Sequence, residues 1–179
     1  MRSAGHPFVL IAEDVENDVL LLQRSFEQAG MAVATHVVGD GDECVAYLSG
    51  TGKYANRQEY PLPDLLLLDL KMPRRNGFDV LKWIREQPSL SALRVVVLTS
   101  SGRIRDINLA YDLGANSFLT KPLNLIDFTN TISVMLKYWL EQSRKPDIER
   151  PARRSEKPDE EAALSAESRV QPPTTDNDN

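Results

Sequence analysis

The sequence predicts an α/β protein, a doubly wound parallel sheet of five strands with five helices, (βα)5. Three observations predict it. Short apolar runs recur between residues 7 and 120, the mark of strands covered on both faces. Stretches with apolar residues at helical spacing lie between and after them. The two kinds alternate strictly, which argues for a parallel sheet with helices on both sides.

The elements follow in order. "PFVLIA" (7–12) is a continuous apolar run and the first strand. A helix follows with Val19, Leu22 and Phe26 on one face and Gly30 as its stop. "AVATHVV" (32–38) is β-branched and forms the second strand, ending in a Gly39-Asp40-Gly41 turn. "DECVAYLSG" (42–50) is a short helix. "TGKYANRQEYPLP" (51–63) is polar and proline-marked and is expected to be irregular. "DLLLLD" (64–69) is the third strand. "FDVLKWIREQ" (78–87) is a helix with Phe78, Leu81 and Ile84 apolar and Pro88 just past its end. "RVVVLTS" (94–100) is the fourth strand, and "RIRDINLAYDLG" (103–114) a helix closed by Gly114. "SFLT" (117–120) is a short fifth strand. "NLIDFTNTISVMLKYWLEQSR" (124–144) is the last helix, with Asn124 as its N-cap.

Composition bounds the function. The chain has 179 residues and a net charge of −5, so it carries no basic field for nucleic acid and no polybasic membrane patch. No apolar stretch approaches the roughly 18 residues of a membrane span, and the N-terminus does not read as a signal peptide. With one cysteine, Cys44, there is no intrachain disulfide, and a cytoplasmic location is expected. His6 and His36 have no partners at ligand spacing and read as surface or strand residues. Residues 1–143 are expected to fold as one domain. Residues 144–179 are rich in charge and proline, bury too little to offset their ordering entropy, and are expected to form a disordered tail.

In a sheet of this kind function lies outside the carboxyl ends of the strands. The first strand ends in Glu13-Asp14, the third in Asp69 and the fourth in Thr99-Ser100, and the fifth leads to Lys121-Pro122. A strand order 2-1-3-4-5 would bring all of them to one rim, with the acids facing one another across a crevice. Clustered carboxylates repel and raise one another's pKa unless a cation neutralises them. A hard divalent cation with oxygen ligands does so, and Mg²⁺ fits best because it binds through one or two carboxylates, water and phosphate oxygens. Lys121 adds a second positive charge and Thr99 a hydroxyl donor. Together they make a site for an anion delivered onto a carboxylate, a phosphoryl group on Asp69.

These residues carry a resemblance. "IAEDVENDV", "LLLLDLKMPRRNGFDVL", "VVVLTSS" and "GANSFLTKPLN", with the spacings between them, resemble the receiver domains of two-component response regulators over residues 7–142. The insertion before the third strand and the aromatic end of the last helix are most similar to single-domain regulators that partner cyanobacterial and bacterial phytochromes. The resemblance implies a flavodoxin-like order 2-1-3-4-5, with Asp69 as phosphoacceptor. It implies that Glu13 and Asp14 hold Mg²⁺, with Asp14 the direct ligand and the main-chain carbonyl of Lys71 a further one. Thr99 matches the switch hydroxyl, Ser100 the small residue beside it, and Lys121 the lysine that pairs with a phosphoryl oxygen. Phe118 stands at the rotameric aromatic, where it has no hydroxyl to signal with. Lys71 and Ser101 occupy positions that influence acyl-phosphate lifetime. The Lys121–Pro122 bond is expected to be cis.

A haloacid-dehalogenase-type phosphatase would need an acid two residues after Asp69, and Lys71 stands there. A docking receiver without phosphotransfer is the other alternative, against which the intact set Glu13, Asp14, Asp69, Thr99 and Lys121 argues. No catalysis beyond the chain's own phosphorylation and dephosphorylation is expected. The implied partners are a histidine kinase or phosphotransfer protein, with a bacteriophytochrome as candidate, and no nucleic acid or membrane. Phe128, Ile132, Met135 and Trp139 make a core stripe on the last helix. Leu125, Leu136, Tyr138 and Leu140 widen its apolar arc, which reads either as a broad core face or as the interface of a homodimer through the fourth and fifth helices.

Overall fold

The computed structural model describes residues 6–143, so the expected tail, 144–179, lies outside the described residues. Five strands, β1 (Phe8–Ala12), β2 (Ala34–Val38), β3 (Leu65–Leu68), β4 (Val95–Thr99) and β5 (Ser117–Thr120), form one sheet. Their order is 2-1-3-4-5 and every neighbouring pair is parallel. The helices are α1 (Glu16–Gln28), α2 (Gly41–Ser49), α3 (Gly77–Glu86), α4 (Ile104–Asp112) and α5 (Leu125–Leu136). The predicted fold class and order are those observed.

The apolar runs are apolar because both sheet faces are covered. All of β1, β3 and β4 is buried, and alternate residues feed two different cores. Leu10, Ala12, Leu66 and Leu68 face α2 and α3, packing with Cys44, Tyr47, Val80, Leu81 and Ile84. Val9, Ile11, Leu65 and Leu67 face α1 and α5, packing with Leu22, Phe26, Phe128, Ile132 and Leu136. Period-two alternation within an all-apolar strand thus splits the core into two layers.

Side-chain caps open three helices as their sequences dictate. Asp40 accepts from the Glu43 amide, Asn76 from that of Asp79 and Asn124 from that of Asp127. The Gly39-Asp40-Gly41 turn is therefore also the start of α2, one residue earlier than predicted. Two glycines sit where a side chain has no room. A Cβ on Gly77 would stand 2.3 Å from the Asp69 carbonyl oxygen, and one on Gly41 2.0 Å from that of Arg75.

The structure corrects or refines four expectations. Residues 51–63 are not wholly irregular: Gly52–Tyr54 forms a 3-10 turn and buries the Tyr54 ring. Pro88 does lie just past the end of α3, as expected, and there it opens a second 3-10 turn, Pro88–Leu90. Leu136 belongs to the core, because the buried arc of α5 is broad enough to include it. The regular helix ends there, and Lys137–Gln142 continues as a wider π-helical turn; the carbonyls of Trp139 within it and of Ser143 just after it accept from buried Arg94. Finally, no described peptide bond is cis, so Lys121–Pro122 is trans, the form an X–Pro bond intrinsically prefers.

Candidate functional site

The parallel ladder does not stop at the last strand residue, and this is what aims the site. The Glu13 amide donates to the Val38 carbonyl at 3.1 Å, and the Asp69 amide to Ala12 at 3.0 Å. The Lys121 amide donates to Thr99 at 2.8 Å. Each functional residue is thus fixed by its own backbone to the neighbouring strand's end, and all project from one edge of the sheet. Gly77 lets α3 pack directly on the Asp69 backbone, with its amide on the Leu70 carbonyl.

Glu13, Asp14 and Asp69 each offer a carboxylate oxygen within 4.8 Å of the others. Glu13 and Asp69 are buried and Asp14 is exposed. The Lys71 amide donates to Asp69 Oδ2 at 3.2 Å. Asp69 Oδ1 is buried with no hydrogen-bond partner, a costly state for a carboxylate oxygen. Lys121 Nζ donates to Glu13 Oε2 at 2.6 Å and stands 3.9 Å from Asp69 Oδ1. Burial pushes the Glu13 carboxyl up, and its bond to Lys121 only partly opposes this. Burial alone would lower the Lys121 pKa, but its acidic neighbours, Asp18 and Glu13 foremost, hold the ammonium above its usual range.

Three clustered oxygen ligands, one buried oxygen without a partner and a single ammonium among more acids fit a hard divalent cation.

The remaining predicted residues fall in three places. Thr99 is fully buried at the end of β4, and its Oγ1 accepts from the Ser101 amide at 3.4 Å. Ser100 is exposed at the rim. Phe118 lies farther along β5, half-buried, where it packs on the cluster of Leu70, Val97 and Ala110. Its amide donates to the Tyr111 hydroxyl at 3.2 Å.

Two acids, Asp18 and Asp106, were not among the residues expected at the site. Asp18 comes from the first turn of α1 and accepts from Lys121 Nζ at 2.7 Å. Its signal is present, an acid in the first turn of α1 four residues after Asp14, but an acid there also reads as a helix-dipole residue. Buried Ser101 donates through Oγ to the Asp106 carboxylate, tying the strand end to α4.

The geometry agrees with comparisons to known proteins. A family model described as the response regulator receiver domain matches residues 9–133. Response regulator Rcp1 of Synechocystis sp. is 34% identical over 138 residues, covering 77% of this chain and 92% of the relative. The crystal structure of its Mn²⁺-bound form aligns with a TM-score of 0.72 at 33% identity, over 78% of this chain and 99% of that one. The phosphorylated cyanobacterial phytochrome response regulator RcpA aligns at 0.75 with 34% identity, over 79% and 99%. Among the described residues no helix is long and apolar enough to cross a membrane. A model matched over most of the chain, and relatives of similar extent with a third of their residues identical, establish that this protein belongs to the response regulator receiver domain family of two-component signalling.

Proposed function

We propose that the protein accepts a phosphoryl group on Asp69 from a histidine kinase or phosphotransfer protein and signals through contacts with other proteins. The observation that carries this reading is Asp69 Oδ1: a buried carboxylate oxygen with no partner, beside two further acids and an ammonium. A structural carboxylate would be satisfied; a nucleophile is kept free.

Glu13, Asp14 and Asp69, with the main-chain carbonyl of Lys71, would hold Mg²⁺. When bound, Mg²⁺ supplies the positive charge that draws phosphoryl oxygens toward a cluster of acids. Asp69 Oδ1 attacks the phosphorus of a phosphohistidine, the new O–P bond forms as the P–N bond breaks, and the electron pair and a proton go to the imidazole. Lys121 pairs with a phosphoryl oxygen. Thr99 Oγ1 turns from the Ser101 amide toward the phosphoryl group, Ser100 leaves the approach open, and Phe118 moves into the vacated space. The surface of α4 and β5 then repacks. No catalysis on a diffusible substrate is part of this reading.

Similarity to Rcp1 and RcpA supports a phytochrome-type kinase as donor. A homodimer through α4 and α5 draws support from exposed Ile104 and Leu109 on α4 and from an apolar groove of about 470 Å³ between β5 and α5 that includes Leu119, Val134, Met135 and Tyr138. A monomer by light scattering at tens of micromolar, phosphorylated and free, would refute that assembly.

Incubation with acetyl phosphate tests the chemistry. The wild type is expected to take up one phosphoryl group with Mg²⁺ present and none after chelation, and Asp69→Asn none at all. Uptake by Asp69→Asn equal to the wild type would sink the reading.

A further inference from the structure

Asp18 has no part in the chemistry just described, yet it makes one of the shortest contacts at the site. Lys121 Nζ donates to Glu13 Oε2 at 2.6 Å and to Asp18 Oδ2 at 2.7 Å, while Asp69 Oδ1 stands 3.9 Å away. An ammonium has three protons. Two are taken by these carboxylates, and the buried Asp69 oxygen beside them receives none. A lysine free to move would close that gap, because a charge-assisted bond to a buried, unsatisfied oxygen is strongly favourable. The Lys121 side chain is 10% exposed, and its two tethers come from the end of β1 and from the first turn of α1. Glu13 is also one of the acids facing the candidate metal site, so Asp18 is the tether without a second duty.

We infer that Asp18 is a positioning residue: it holds the Lys121 ammonium off Asp69, at a stand-off that leaves room for a phosphoryl group and a third N–H to meet one of its oxygens. The inference rests on the reading of Asp69 as acceptor. Without the tether the ammonium settles on Asp69 Oδ1, occupies the attacking oxygen and must be displaced before transfer. Asp18→Asn therefore slows phosphorylation rather than weakening the fold. A residue that served only the α1 dipole would instead change stability and leave Lys121 undisturbed.

The test uses the full chain as wild type, Asp18→Asn, Asp18→Glu and Asp69→Asn. Two readouts are taken: the nitrogen-detected NMR signal of the Lys121 ammonium in metal-free buffer, and the acetyl phosphate dependence of phosphorylation with Mg²⁺. Asp18→Asn is expected to shift the ammonium signal and lower the maximal rate about tenfold or more, with the half-saturating concentration nearly unchanged, as for a misplaced reacting group. Asp18→Glu is expected to recover both readouts in part. A wild-type rate in Asp18→Asn, a slower rate with an unchanged ammonium signal, or no recovery in Asp18→Glu would each overturn the inference. An unlabelled wild type, or a labelled Asp69→Asn, would instead mark failure of the acceptor reading, and this inference with it.

Discussion

The two ends of the molecule treat buried polar groups in opposite ways. Beside β2 and α2, His36, Tyr47, Tyr54 and Tyr60 form an aromatic cluster, with Tyr47–Tyr54 centroids 4.8 Å apart and His36–Tyr47 5.0 Å. Its buried hydroxyls have partners: that of Tyr47 donates to the Pro61 carbonyl and that of Tyr54 to Glu43, while Arg57 donates to the carbonyls of Tyr47, Leu48 and Tyr60. At the rim, Asp69 Oδ1 is buried without a hydrogen-bond partner, beside two further acids and with the Lys121 ammonium 3.9 Å away. The first region is built for stability, with burial pushing the Tyr47 hydroxyl up to about 12 and the Cys44 thiol likewise. The second leaves a buried carboxylate oxygen unsatisfied, which costs stability and is what the proposed acceptor role requires. Satisfaction of polar groups, more than burial, separates scaffold from site.

Substitutions should break this contrast in opposite directions. The largest effect is expected from Tyr47→Ala, which empties the centre of the aromatic cluster and should cost about 3–5 kcal/mol in denaturant unfolding while Asp69 still takes phosphate. Lys121→Met leaves buried Glu13 without its cation and should cost about 3 kcal/mol by the same measurement. Asp69→Asn should run the other way. Removing the unsatisfied charge is expected to raise stability by about 1 kcal/mol in metal-free buffer, and a loss of that size would contradict the contrast.

A smaller effect concerns pH. Burial lowers the pKa of His36 below its usual value. Above the unfolded value, about 6.5, both states carry a neutral ring and the packing is fully present. As pH falls below it, the unfolded chain binds the proton first and stability is lost progressively through the folded pKa. Unfolding curves between pH 7 and 5 should therefore slope more steeply in the wild type than in His36→Phe. Equal slopes would show that the ring does not titrate differently in the two states.

Much of this was legible in the sequence, and the rest was hidden for physical reasons. β1, β3 and β4 are unbroken apolar runs because both their faces are covered, and few other structures require that pattern. Reading the residue after each strand then found Glu13, Asp69 and Lys121, since the ladder fixes those positions through local backbone bonds. Asp18 was missed because it enters from a helix and acts through a contact 103 residues away in sequence. The aromatic cluster was missed because its rings come from β2, α2 and a stretch whose polarity concealed the buried ring of Tyr54. Leu136 stood open between core face and interface because periodicity gives the direction of a side chain but not how wide the covering surface is, and its burial decides for the core.

If Asp69 is the acceptor, as proposed, the new bond can be located directly on its side chain. After incubation with acetyl phosphate and Mg²⁺, borohydride reduction converts an aspartyl phosphate to homoserine, and peptide mass mapping finds where. The expected result is homoserine at position 69 and nowhere else. Conversion at another acid, phosphate on a histidine or hydroxyl residue, or no modification in the presence of Mg²⁺ would contradict the account.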